Sequence, residues 1–239
     1  MVKVLLTIDD IASKNTVAIV DYLNKNKIPA IMFAWGENIE KHYENAIYAL
    51  KNGMIVGNHS YSHPAFSKLS FEQAVEEIEK NELVLGKLYK DAGVERRFRP
   101  FRFPYGDKGG NNKNALQDYL LKNGFDKVCD TQLKYDWWKE RGLDKDIDTL
   151  WTFDFAEYLI RKDSGFTKED VFRRMEDPSP QYGAALLADG SSHILLLHAH
   201  DETEEMVPEY YKLFIDRLLE KDVVFEKPEF VKLDRETAE

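Results

Sequence analysis

Short apolar runs alternate with longer amphipathic stretches along this chain, and that alternation sets the expected fold. Residues 2–7 form an apolar run that reads as a strand. Residues 16–26 follow with Val17, Ile19, Val20 and Leu23 on one helical stripe. The pairing repeats, with a strand at 29–35, a helix at 39–51 and a short strand at 54–57. A long helix then opens at Ser70, a plausible N-cap with Gln73 in the capping-box position, and stops near Gly93. Further strands are predicted at 98–103, 125–131 and 148–155, with helices at 113–122 and 167–175. Ile194-Leu195-Leu196-Leu197 is a continuous apolar run of the kind found in parallel sheets, and a helix at 208–220 and a strand at 223–225 finish the pattern. Repeated strand–helix units predict an α/β fold with parallel strands, a closed or nearly closed barrel first and an open doubly wound sheet second. No repeat or linker divides the chain, so residues 1–239 are expected to form a single domain; 177–183, rich in Pro, Ser and Gly, is read as an excursion within it.

The overall charge narrows the partners. A formal net charge of -10 argues against nucleic acid and against anionic membrane surfaces. No apolar stretch is long enough to cross a bilayer. Without a signal-peptide pattern the chain as given is expected in the cytoplasm, or outside the cell if a signal has been removed. The one cysteine, Cys129, falls in a predicted strand and reads as a small buried residue.

In a βα barrel, chemistry gathers at the C-terminal ends of the strands. Four polar clusters fall there: Asp9-Asp10, His59 with His63, Arg102 to Tyr105, and His198. His59 and His63 stand four apart; on a helical turn both would face one cation, and a carboxylate from another strand end would complete a three-ligand site. Each cluster alone has a bland explanation. Paired aspartates cap helices, arginines make surface ion pairs, and a histidine ending a buried strand can be a satisfied core residue. Their shared placement points instead to metal-assisted hydrolysis. From chemistry alone either His198 or His200 suits a proton donor, and Trp35, Tyr105, Tyr135 and Trp138 suit either packing or stacking on a sugar.

These residues resemble the five ordered motifs of the polysaccharide deacetylases, carbohydrate esterase family four, which share the NodB homology domain. Thr7-Ile8-Asp9-Asp10 resembles the first motif and His59-Ser60-Tyr61-Ser62-His63 the second. Phe101-Arg102-Phe103-Pro104-Tyr105-Gly106 is similar to the third, Asp136-Trp137 to the fourth and Leu196-Leu197-His198 to the fifth. The resemblance implies a distorted (β/α)7 barrel. It also implies a divalent metal, zinc by first expectation, on Asp10, His59 and His63. Asp9 would be the general base, held ionised by Arg102, and His198 the acid, oriented by Asp136. The backbone N–H of Tyr105 would face the oxyanion, and Trp137 and Leu196 would line the acetyl pocket.

One departure stands out. Ile11 replaces the glycine that usually follows the two aspartates, and a bulky β-branched residue there suggests a reshaped mouth. The expected activity is removal of an N-acetyl, or O-acetyl, group from a carbohydrate. A metal-dependent amidohydrolase acting on a small cyclic amide or imide comes second, and a non-catalytic carbohydrate-binding relative last.

Overall fold

In a computed structural model that describes residues 1–231 and 233, all strand pairings are parallel. Strands β1 (Lys3–Ile11), β2 (Ala30–Ala34), β3 (Ile55–Asn58), β4 (Phe153–Asp154) and β5 (Ser192–His198) line up in the order β3-β2-β1-β5-β4, and β6 (Val224–Phe225) pairs with β1. Beyond β3 the wall continues through a single bridge from Asn58 to Phe101. The Thr149 N–H then donates to the Phe101 carbonyl at 2.8 Å, and the chain from Thr149 runs into β4. The ring therefore closes through isolated hydrogen bonds, which makes it the distorted α/β barrel expected from the sequence.

The core explains the central strands. Every residue of β2 is buried, as are Val4 to Asp9 of β1 and His193 to Leu197 of β5, so these strands carry apolar side chains on both faces. Around them pack α1 (Thr16–Lys25), α2 (Gly36–Lys41), α3 (Tyr43–Lys51), α4 (Phe71–Ala92), α5 (Lys113–Lys122), α6 (Asp136–Glu140), α7 (Lys168–Glu176), α8 (Asp201–Met206) and α9 (Tyr210–Glu220). The Ser70–Gln73 capping box opens α4, and Gly93, at φ 67, ends it in the left-handed conformation glycine favours.

Three sequence expectations differ from the structure. The helix predicted at 39–51 breaks at His42; Asn38 on α2 donates to the Asp10 carbonyl at the end of β1, and Asn45 on α3 to the Ser13 carbonyl in the β1–α1 connection. Residues 98–103 make a bridge and no strand, because Pro100 and Pro104 interrupt the ladder of backbone donors. Residues 125–131 make one antiparallel bridge, Val128 to Phe230, since Lys127 and Asp130 both turn inward to pair with each other. Cys129 is accordingly half-buried in an irregular segment.

Candidate active site

The end of β1 departs from a regular strand, and the departure is what puts two consecutive aspartates to use. Successive side chains on a strand point to opposite faces. Between Ile8 and Ile11 the register against β2 slips: Ile8 faces Met32 and Ile11 faces Ala34, three steps against two. Asp10 sits in this bulge at φ 64, a left-handed conformation that aspartate tolerates better than most residues. Asp9 and Asp10 consequently line the same cavity. Ile11 does not have a positive φ. Its side chain is fully buried in the main core and does not line the cavity, so it does not itself form the mouth as the sequence suggested.

The two histidines reach the same cavity from a loop, not the helical turn expected from their spacing. Asn58 and α4 shape that loop. The Asn58 side chain accepts from the Ser60 N–H and donates to the Ile78 carbonyl and Glu82, while Glu77 accepts from the Tyr61 and Ser62 N–H groups. Ser60 and His63 both take positive φ, at 65 and 59. Asn58 and Glu77 were not singled out from the sequence, since nothing short of the loop's path marks them.

Asp10, His59 and His63 offer a compact ligand set. Nε2 of His59 lies 3.2 Å from Nε2 of His63, and Asp10 Oδ1 lies 3.4 Å from His63 Nε2 and 3.9 Å from His59 Nε2. A tetrahedral site with metal–nitrogen bonds of about 2.0–2.1 Å has ligand–ligand edges of about 3.3 Å, so the donor set fits a small divalent ion. His59 Nδ1 donates to the Arg102 carbonyl at 2.8 Å, which turns the lone pair of Nε2 towards the other two ligands. Burial keeps both imidazoles neutral: it lowers the pKa of His59, and with the neighbouring His59 it lowers that of His63 to about 4.

Asp9 borders that triad but is paired with a cation. Its Oδ1 accepts from Arg102 Nη1 at 2.7 Å, and its Oδ2 lies 3.5 Å from His59 Nε2. Arg102 is fully buried; Nη1 also donates to Thr7 and Nε to the Thr149 carbonyl. Burial by itself would raise the Asp9 pKa. Arg102, by its charge and its hydrogen bond, leads the groups that outweigh it and hold the carboxyl below its ordinary range.

Across the β1–β5 ladder from Asp9 stands His198. Its partner is Glu157, whose Oε1 lies 3.1 Å from His198 Nδ1 and also accepts the His198 backbone N–H. Burial opposes a charge on this ring, but Glu157, then Asp10 and Asp154, raise its pKa to about 10. Asp136, expected to orient His198, is instead exposed at the start of α6. Trp137 is also displaced: it lines a neighbouring cavity, and Leu196 and Trp151 line the cavity of the aspartates and histidines. The acid–aromatic pair sought at 136–137 has its counterpart at Glu157-Tyr158, where Tyr158 packs edge-on against His198 with ring centres 4.8 Å apart. Its place just past β4, beside the leucine run, is the signal that would have found it. Among the other aromatics, Trp35 and Tyr105 pack against His63, Tyr135 stacks on Trp137 and Trp138 is buried. His200 lies at the rim, where its Nδ1 caps α8 by accepting from the Thr203 N–H.

The polysaccharide deacetylase family model matches residues 2–125, just over half of the chain, and that span carries Asp9, Asp10, His59, His63 and Arg102. The chain belongs to the polysaccharide deacetylase family. A peptidoglycan-N-acetylglucosamine deacetylase of Bacillus cereus is 36% identical over 107 residues, a match that covers 44% of this chain and 37% of that protein. A bifunctional xylanase/xylan deacetylase of Cellvibrio japonicus is 29% identical over 120 residues, covering 49% of this chain and 17% of its own. In structure, a family 4 carbohydrate esterase from Streptomyces lividans superposes with a TM-score of 0.61 at 19% identity, covering 99% of this chain and 95% of its own. That likeness extends the family fold over both halves of the chain, including the part that supplies Glu157 and His198.

Proposed function

We propose that this polysaccharide deacetylase is a metal-dependent hydrolase that removes the acetyl group from an N-acetylated carbohydrate, within one catalytic domain. A three-ligand set (Asp10, His59, His63) beside a second, buried carboxylate on Asp9 that is paired with Arg102 carries the reading, because hydrolysis needs both a ligand and a base. A divalent ion, zinc by the nitrogen-rich donor set, would polarise the acetyl carbonyl and acidify a water molecule when bound.

The chain's own groups supply the rest. Asp9 Oδ2, ionised against Arg102, takes the proton of the attacking water as the new C–O bond forms. The backbone N–H of Tyr105, at the cavity rim, is the proposed donor to the oxyanion. His198 keeps Nδ1 on Glu157, so its Nε2–H delivers a proton to the amine nitrogen as the C–N bond breaks, leaving acetate and a free amine. A leaving amine needs that proton more than a leaving alcohol does, which favours N-acetyl over O-acetyl substrates. The small-amide reading drew in part on a mouth altered by Ile11, and a buried Ile11 removes that part of its support.

Acetate release tests the proposal. Zinc-loaded protein is expected to release acetate from chitooligosaccharides or peptidoglycan fragments, with turnover lost about 10³-fold in Asp9→Asn. Turnover confined to a panel of cyclic amides would overturn it.

A further inference from the structure

Ser60 and His63 hold left-handed backbone conformations, at φ 65 and 59, and no glycine relaxes the loop between Asn58 and Pro64. Residues other than glycine keep such conformations only where their surroundings impose them. Those surroundings are supplied by α4. We propose, on the reading of Asp10, His59 and His63 as metal ligands, that two residues of this helix are positioning residues of the metal centre. Asn81 holds His59 and Glu77 holds His63, although neither lines the cavity.

The two residues stand four apart and so share one face of α4, which looks onto the ends of β2 and β3. Asn81 is fully buried. Its amide donates to the Ala34 carbonyl at 2.8 Å and to Asn58 Oδ1 at 2.9 Å. Both acceptors also serve the histidine loop. The Ala34 carbonyl accepts from the His59 N–H at 3.0 Å, and Asn58 Oδ1 accepts from the Ser60 N–H at 2.8 Å. One side chain thereby fixes the backbone on either side of His59. The fit leaves no slack: a Cβ on Gly36 would lie 3.2 Å from Asn81 Oδ1 and 2.3 Å from the ring of Tyr61.

Glu77 meets the other half of the loop. Its Oε2 accepts from the Tyr61 N–H at 3.1 Å and the Ser62 N–H at 2.8 Å, and its Oε1 accepts from the Ser62 hydroxyl at 2.8 Å. Three donors thus converge on one carboxylate in the two residues immediately before His63. Bonds to an ionised acceptor are about twice as strong as neutral ones, so this clamp is a firm one. Lys80, from the same helix, adds a cation–π contact 3.5 Å above the Tyr61 ring. Partners behind metal ligands govern affinity because an imidazole held out of place binds the ion poorly. The helix is a suitable mount, since its 22 residues are capped at both ends.

Zinc affinity, read by competition with a chromogenic chelator and without substrate, tests the proposal. Glu77→Ala and Asn81→Ala should each bind zinc about 10–100-fold more weakly than wild type, with Glu77→Gln, which keeps one acceptor oxygen, in between. The visible absorption bands of cobalt-loaded protein should shift in both alanine variants. Leu88→Ala empties a buried position two turns beyond Asn81. It should lower the melting temperature yet keep the zinc affinity and cobalt bands of wild type. Unchanged affinity in Glu77→Ala and Asn81→Ala, or an equal loss in Leu88→Ala, overturns the proposal. Should Asn81→Ala not fold, half-buried Glu77 decides the question by itself. A His63→Ala background separates the two histidines. There Glu77→Ala should cause no further loss of zinc affinity, whereas Asn81→Ala should still act in full. A further tenfold loss from Glu77→Ala in that background overturns its assignment to His63. Wild-type protein that binds no zinc would sink the metal reading and the positioning roles together. Zinc bound, and weakened as stated, without acetate release from any glycan would leave the positioning roles standing and remove the catalytic reading alone.

Discussion

Arg102 and Lys108 are both cations held against aspartates inside the barrel wall, yet their surroundings differ in one respect. Lys108 bridges Asp146 and Asp148 at 2.8–2.9 Å, Lys113 also reaches Asp146, and Gln117 donates to Asp148; no buried side-chain atom of that group lacks a partner. Around Arg102 and His198, by contrast, Arg102 Nη2 and Glu157 Oε2 are buried without one. Unpaired buried polar atoms are costly, so the Arg102–His198 cluster carries a cost that the Lys108 cluster does not. The two clusters are also connected. The strap that follows Asp148 presents the Thr149 carbonyl to Arg102 Nε, so the satisfied cluster steadies the unsatisfied one.

Arg102→Met and Lys108→Met separate the two roles most sharply. Each strands buried carboxylates and is expected to cost about 3–5 kcal/mol of stability. Only Arg102→Met should also cut turnover per folded molecule, by 100-fold or more on the scale of a disabled general base, about 10²–10⁴. Denaturant melts alongside acetate release measure both, and equal losses of turnover in the two variants would erase the distinction.

Glu157→Gln makes a smaller change. His198 must be protonated to act, so activity is lost as pH rises through its raised pKa of about 10. Without the carboxylate that pKa falls, and the alkaline limb of kcat/KM should move towards the ordinary imidazole range. Stability follows the same sign: the part due to protonated His198 is complete below about 6.5 and lost as pH rises through about 10. For Asp9, with its pKa lowered, the contribution is present above 3.8 and lost as pH falls through the folded value. An alkaline limb that stays in place in Glu157→Gln would show that Glu157 does not set the state of His198.

The smallest effect is expected at His200. As a helix cap its loss in His200→Ala costs about 1 kcal/mol and leaves turnover within a few-fold. A collapse of turnover would make His200, not His198, the acid.

How far the sequence was legible follows from how each residue is placed. Asp9, Asp10, His59 and His198 come to one cavity because strand ends fix them, and strand ends show in the apolar pattern; Arg102 reaches Asp9 from behind, beside the single bridge at Phe101. His63 arrives there too, but by a loop that only Asn58, Glu77 and two positive φ values produce, and spacing alone cannot reveal such a path. Glu157 is missed although a strand is predicted at 148–155, because it lies on the short turn past the end of β4 and not on the strand itself. The short pattern Asp136-Trp137 matched the motif by composition while lying on an exposed helix.

Metal content across three proteins tests the central claim most directly. Wild-type protein purified with zinc, and Asp9→Asn, should each hold about one ion per chain, whereas Asp10→Asn should bind it at least tenfold more weakly. Metal lost from Asp9→Asn and kept by Asp10→Asn would reverse the two aspartates and contradict the account.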